Sequence, residues 1–429
     1  MEKFNIEDGF IVDKKERYVL VGVATGYPEE TEESLKELAE LVDTAGGEVL
    51  DSIYQNLKNP EPGTYLGKGK IQELSELIED LGATGIVCDD ELSPAQIRNL
   101  SDMLDCKVID RTILILDIFA AHATTSEGKL QVEMAQLRYR SSRLQGMGRA
   151  MSRLGGGIGT RGPGESKLET DRRIIQKRIS ALKKDIESMQ KIRETTRKKR
   201  EANGIPVVAI VGYTNAGKST LLNYLTDANI LSEDKLFATL DPTTRKCKLP
   251  SGEELLLTDT VGFINKLPHN LIDAFKSTLE EAAYADIILH VADASDPNVD
   301  MHIDVVYQTL HELKITGKPV ITAFNKMDKV DASERLHDPK AEKVIAMSAK
   351  TGDGVEKLLS AIQEELNSMR VLVEAVLPYN RTADAELIRS TGQLISMEYE
   401  ADGIHLKAYV NKALGQKLGL VSKESDYEL

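Results

Sequence analysis

Apolar residues recur along this chain with several distinct periods, and the changes of period divide it into four parts: 1–127, 128–203, 204–369 and 370–429. In the first part, short β-branched runs alternate with stripes spaced three and four apart. Tyr18–Val23 predicts a strand, and Ser34–Ala45 a helix with Leu35, Leu38, Leu41 and Val42 on one face. Gly46-Gly47 ends that helix, and Glu48–Tyr54 resumes extension. Lys70–Leu81 predicts a second amphipathic helix and Gly85–Cys88 a strand. Ser93-Pro94 offers a cap with a first-turn proline, and Val108–Asp110 is extended. The alternation defines an α/β layer domain, and no catalytic motif falls in it.

In the second part the period becomes seven. Gly128–Gly146 predicts a helix with Leu130, Leu137 and Leu144 in one seam. Glu165–Lys199 predicts a second, with Leu168, Ile175, Leu182 and Met189 and with Ile179 and Ile186 between them. Two such seams joined by a loop make an antiparallel helical hairpin. The loop, 146–164, is glycine-rich and carries Arg149, Arg153 and Arg161. A structureless loop of that length is functional or disordered. As a functional element it is a basic tip in which glycines allow close backbone approach and the three arginines meet RNA phosphates. The alternative is a disordered linker beside a solvated helix.

From Val207 the runs turn continuously apolar, as in a buried parallel sheet: Val207–Val211, Leu255–Leu257, Ile287–Asp293, Pro319–Phe324 and Lys343–Met347. Helices are expected near 270–285, 305–313 and 355–366. After Val371 come a strand (Val371–Pro378), a helix (Ala383–Gln393) and a hairpin across Asp402-Gly403, a small α+β appendage.

Short motifs at the ends of the apolar runs give the third part its chemistry. Gly212-Tyr213-Thr214-Asn215-Ala216-Gly217-Lys218-Ser219, followed by Thr220, matches the phosphate-loop pattern between a strand and a helix. Backbone N–H groups and the positive helix end there face phosphate oxygens, Lys218 adds a point charge, and the Ser219 hydroxyl faces Mg²⁺. Asp259-Thr260-Val261-Gly262 ends the next strand. Asp259 there can hold the metal shell, and the Gly262 N–H can meet a γ-phosphate. Asn325-Lys326-Met327-Asp328 supplies a carboxylate that can accept two N–H bonds from the guanine edge, which adenine lacks. Ser348-Ala349-Lys350 can offer N–H groups to the base oxygen. Together the motifs predict a Ras-like P-loop domain that binds GTP and GDP with Mg²⁺ and hydrolyses GTP. The fold class is therefore α/β multidomain: an N-terminal α/β domain with a helical hairpin, a P-loop GTPase domain and a small C-terminal α+β domain.

Charge narrows the partners. The net charge is −15, yet Arg138 to Arg200 holds about nineteen Lys/Arg against about six Asp/Glu, leaving roughly −28 on the remainder. This asymmetry points to one local nucleic-acid contact on an otherwise repelling body. No apolar stretch approaches the length of a membrane span, the N-terminus is acidic without a signal-peptide core, and Cys88, Cys106 and Cys247 lack metal spacing. The expectation is a cytoplasmic monomer.

Between the first two motifs, Leu236–Arg245 contains three threonines, 239, 243 and 244, any of which can ligate Mg²⁺ and order the loop. Where many guanine switches carry a water-orienting glutamine after Asp-x-x-Gly, this chain has Phe263. Slow basal hydrolysis, completed by an outside partner, is the corresponding hypothesis.

The segment Phe237-Ala238-Thr239-Leu240-Asp241 resembles the Phe-x-Thr-Leu switch of Obg-like translation GTPases, which implies Thr239 as the switch ligand, with Thr243 second. The loop also resembles that of potassium-stimulated GTPases, in which the residue at Asn215 helps bind K⁺; the alternative is a residue that merely caps the loop. With the run Leu154–Glu165 added, the chain resembles the HflX family of ribosome-associated GTPases over essentially its full length. That resemblance implies docking on the large ribosomal subunit and its rRNA, ribosome-stimulated hydrolysis, and a role in splitting, rescue or assembly. Two other readings stay open: an RNA-remodelling ATPase, and a non-catalytic ribosome anchor.

Overall fold

The computed structural model describes residues 15–154, 163–202, 205–226, 236–237, 243–268, 279, 281–330 and 336–421. The chain divides into two compact units. One is Met1–Lys183 with Asn265–Ala274; the other is Lys184–Ile264 with Phe275–Leu429.

The first unit is built on a four-stranded parallel sheet of order β2-β1-β3-β4: β1 Arg17–Ala24, β2 Glu48–Asn56, β3 Gly85–Cys88 and β4 Lys107–Asp110. Helix α1 (Pro28–Thr44) buries the predicted stripe Leu35, Leu38, Leu41 and Val42, and α2 (Lys68–Leu81) buries Ile71, Leu74 and Ile78. Helix α3 (Pro94–Leu104) starts at the predicted Ser93 cap, where the Ser93 and Gln96 side chains bond each other's backbone N–H groups in a capping box. Helix α4 (Arg111–His122) had no counterpart in the sequence reading. Its buried residues Leu114, Ile115, Leu116, Ile118 and Phe119 surround the axis, so they leave no one-sided stripe to read.

Helices α5 (Ser126–Leu154) and α6 (Pro163–Ala202) form the predicted pair, but both outrun their expected ends. Residues 146–154, expected in the loop, continue α5. Only two glycines interrupt that stretch, and Met147, Arg149, Ala150, Met151, Arg153 and Leu154 are good helix formers. Of the expected α6 seam, Leu182 and Ile186 are buried and Ile175, Ile179 and Met189 half-buried, while the side chain of Leu168 lies outside the described residues. That of α5 does not hold as expected: Leu130, Leu137 and Leu144 are half-buried, while Val132, Met134, Ala135 and Tyr139 are covered. The cause is that α5 packs on α3 and α4 as well as lying beside α6, so it buries more than one face. Arg178 grips Glu133 through two bonds, Nε–Oε1 at 2.7 Å and Nη2–Oε2 at 2.8 Å, and Gln176 donates to Ser141 Oγ at 3.1 Å.

The second unit holds a six-stranded sheet of order β10-β9-β8-β5-β7-β6. Strands β5 (Val207–Gly212), β7 (Glu254–Asp259), β8 (Ile287–Asp293), β9 (Val320–Asn325) and β10 (Lys343–Ala346) are parallel. The unexpected β6 (Thr243–Lys248) adds an antiparallel edge to β7. Helix α7 (Lys218–Thr226) and the helices Val299–Glu312 and Val355–Ser368 flank it. The remaining residues form a three-stranded antiparallel sheet of order β11-β13-β12 (Arg370–Leu377, Gln393–Glu400, Gly403–Asn411 in chain order) with helix Thr382–Thr391 packed on it. Arg370 pairs with Glu253 of the six-stranded layer.

Leu182 is fully covered, so Leu182→Ala should lower stability by about 2–5 kcal/mol. The half-exposed Arg178–Glu133 pair should contribute at most about 1 kcal/mol when Arg178→Ala removes it. Urea unfolding of the two variants checks the ranking.

Candidate nucleotide site

Five buried positions of β5 end at Gly212, and α7 begins at Lys218, so the glycine-rich loop lies between a strand end and a helix N-terminus, as the motif predicts. Gly217 (φ 91°) takes a conformation that L side chains rarely adopt, and a Cβ there would lie 2.2 Å from Asn325 Nδ2. Asn215 has φ 58°, also left-handed, which asparagine tolerates better than most residues. Loop geometry therefore accounts for an asparagine at this position without any ion.

The loop is tied to the Asp259 segment by backbone. Thr214 N–H donates to Phe263 O at 2.8 Å, and Phe263 N–H donates to Gly212 O at 3.0 Å. This brings Gly262 against the phosphate loop: a Cβ on Gly262 would meet Thr214 Cγ2 at 2.9 Å and Lys218 Nζ at 3.0 Å. Ser219 Oγ donates to Asp259 Oδ2 at 3.0 Å, so the hydroxyl and the carboxylate expected at a metal share one point. Thr260 Oγ1 turns back to Ile210 O at 2.8 Å and is fully buried, and Val261 is buried too. The Thr214 hydroxyl is buried without a hydrogen-bond partner among the described residues. Phe263 is 1% exposed and cannot orient a water.

Lys218 Nζ donates to Tyr213 O at 2.7 Å. Burial strips its solvation and holds its pKa down to about 8, against a smaller upward pull from Asp259. Tyr213 stacks on His302 at 3.8 Å between ring centroids, a contact the sequence did not signal.

The base side is organised by Asn325. Its Nδ2 donates to Ala216 O at 2.9 Å, and its Oδ1 accepts from Ala349 N–H at 2.8 Å. One buried amide thus joins the phosphate loop, the Asn325–Asp328 turn and the Ser348–Lys350 turn. Lys326 (φ 63°) pairs with Asp293 at 2.7 Å, and Met327 N–H donates to Met347 O at 3.2 Å. Ser348 Oγ donates to Asp328 Oδ1 at 2.7 Å, which lowers the pKa of this exposed carboxyl. Lys350 is exposed.

Phe237 is buried, and Thr243 stands on β6 opposite Asp259 in the ladder. Ala238, Thr239, Leu240, Asp241 and Arg161 lie outside the described residues, as do the side chains of Arg149 and Arg153. The structure thus brings together the phosphate-loop, Asp259–Gly262, Asn325–Asp328 and Ser348–Lys350 residues around one site. A P-loop GTPase domain is what this fold and these loops define.

Comparison with known proteins agrees. Residues 32–120 and 122–200 match the families described as GTP-binding GTPase N-terminal and GTP-binding GTPase Middle Region, and 207–326 match the family described as 50S ribosome-binding GTPase. The chain is 58% identical over 400 residues to GTPase HflX of Lacrimispora saccharolytica, covering 93% of this chain and 95% of that one. It is 44% identical to GTPase HflX of Escherichia coli over 358 residues, 83% and 84% of the two chains. A GTP-binding protein from Sulfolobus solfataricus in complex with GDP is similar at 26% identity over 82% of this chain and 98% of that one, with a TM-score of 0.43. The chain belongs to the HflX GTPase family, binds guanine nucleotides and hydrolyses GTP. Among the described residues no helix is long and apolar enough to cross a membrane.

Lys218 gives a pH signature. A phosphate against its ammonium favours the charged form, so binding at or above about pH 8 takes up a proton. Nucleotide affinity should be flat at low pH and fall as pH rises through about 8. Calorimetry at pH 8 in buffers of different ionisation enthalpy checks the proton uptake.

Proposed function

We propose that this chain binds the large ribosomal subunit in a GTP-dependent way and hydrolyses GTP with Mg²⁺ in ribosome splitting, rescue or assembly. The observation that carries the nucleotide-controlled part is the Asn325 brace, because it holds the base-side and phosphate-side loops in one arrangement. The ribosomal part is supported by the description of the family matching 207–326 and by the strongly basic stretch from Arg138 to Arg200.

Lys218 stabilises the charge of the transferring phosphoryl group. Ser219, Thr239 and, through the outer shell, Asp259 hold Mg²⁺, with Thr243 as the second candidate on the switch; Mg²⁺ when bound neutralises charge on the phosphate oxygens. The Ser219–Asp259 approach at 3.0 Å supplies the hard oxygen donors this requires. Gly262 senses the γ-phosphate. Asn325 orients the base pocket, and Asp328, with Ser348, Ala349 and Lys350, selects guanine. The N–H groups of the loop from Tyr213 to Thr220 cradle the phosphates, and Asn215 is the place where K⁺ would bind. Arg149, Arg153 and Arg161 contact rRNA phosphates. The protein works in the cytoplasm as a monomer.

Since Phe263 offers no water-positioning group, turnover is slow alone and rises with ribosomal subunits. Asp328→Asn should remove the guanine preference by at least a hundredfold in kcat/KM while leaving the fold unchanged, because the paired N–H donors of guanine lose their acceptor. Competition between GTP and ATP in a phosphate-release assay measures it. Sedimentation with large subunits should bring the chain down with a non-hydrolysable GTP analogue and leave it in the supernatant with GDP. Equal pelleting with both would refute the nucleotide control.

A further inference from the structure

Tyr213 serves the phosphate loop through its carbonyl, which accepts from Lys218 Nζ at 2.7 Å and from Ala216 N–H at 3.4 Å. The direction of that one peptide unit therefore sets where the ammonium sits. Gly212, directly before it, offers little resistance to rotation. The bridge between Tyr213 and Phe263 restrains the backbone from one side. The tyrosine ring is a second restraint.

Tyr213 is buried, and its ring lies flat on His302, with centroids 3.8 Å apart and planes 13° from parallel. His302 stands near the start of helix Val299–Glu312, in a stretch that carries none of the guanine-nucleotide motifs. Its place is set from behind. His302 N–H donates to Asn298 O at 3.0 Å, Asn298 N–H donates to Asp296 Oδ1 at 2.8 Å, and the imidazole Nδ1 lies 3.6 Å from Asp296 Oδ2. The turn begins at Asp293, whose carboxylate accepts from Ser295 N–H at 3.0 Å and Ser295 Oγ at 2.7 Å. The same carboxylate pairs with Lys326 of the guanine motif at 2.7 Å. The wall behind the Tyr213 ring is thus anchored on the base side of the same site.

We propose that His302 is a positioning residue of the nucleotide site: its ring holds the Tyr213 ring, and through the Tyr213 carbonyl it holds the phosphate loop and Lys218 in place for the phosphates. This rests on the reading of Lys218 as the phosphate-binding cation. An aliphatic side chain at 302 would fill space against Tyr213. A face-to-face pair also fixes the tilt of the tyrosine ring, and with it the rotamer and backbone of a residue whose carbonyl has a task. Loosening that backbone leaves the loop to be ordered by the ligand, at the expense of affinity.

The test titrates the full chain with fluorescent GDP and reads both Kd and stoichiometry. His302→Ala should raise Kd by about two- to tenfold, the range an aromatic pair supplies, with stoichiometry unchanged. His302→Phe should restore the affinity, and His302→Leu, which fills space without a ring, should not. Tyr213→Leu should weaken binding as His302→Ala does, and the double variant should go no further than the weaker-binding single. An unchanged Kd in His302→Ala, a loss confined to stoichiometry, equal rescue by Leu and Phe, or fully additive singles would overturn the positioning role. Lys218→Ala tests the underlying reading separately. If that variant binds GDP as the unaltered chain does, the phosphate site itself is misread; if it loses binding while His302→Ala does not, the positioning role fails alone.

Discussion

One side-chain amide sets the geometry on which the nucleotide site depends. Asn325 sits at the end of β9 with both of its polar atoms committed, one to the phosphate loop and one to the turn after β10. Buried at 2% exposure, it cannot exchange these partners for water. Three loops that would each lose conformational freedom separately are thereby ordered together, and their spacing is fixed by a planar group a few ångströms wide. The backbone ties between Gly212, Thr214 and Phe263 extend the same arrangement to the Asp259 segment. Ordering before ligand arrives is what lets contact energy appear as affinity instead of being consumed by loop closure.

The motifs were legible because each is local. Glycines, lysine and serine in the phosphate loop, and Asp259, Asn325 and Asp328 at strand ends, need only short-range order to declare their chemistry, and the apolar runs before them marked the strands. Gly85–Cys88 was readable to the residue because β-branched residues stand between clear turn signals. Other elements were hidden for physical reasons. Helix α4 is apolar around its circumference. β6 reads Thr-Thr-Arg-Lys-Cys-Lys, a polar edge strand that exists through its ladder with β7. The extension of α5 depended on weighing two glycines against seven helix-compatible neighbours.

Partnerships across the chain were beyond any local pattern. Arg197 pairs with Glu281 at 2.6 Å and lies over the Tyr284 ring, joining the end of α6 to the segment after the Gly262 motif within the second unit. Tyr213 with His302, and Lys266 with Asp89 and Asp90, likewise unite residues that sequence spacing keeps far apart. Each is a charged or aromatic residue that looks like solvated surface when read alone. The N-terminal layer carries no phosphate-loop motif of the kind that an RNA-remodelling ATPase would need for a second nucleotide site there.

The sealed position of Phe263 has an evolutionary consequence. An amide introduced there would be buried away from solvent, at roughly 2–7 kcal/mol of lost hydration if left unpaired, before it could reach a reacting water. Single-residue drift at this point therefore leads to a weaker fold and not to a faster clock. On the proposed function the catalytic group is borrowed, and the partner that lends it sets the moment of hydrolysis.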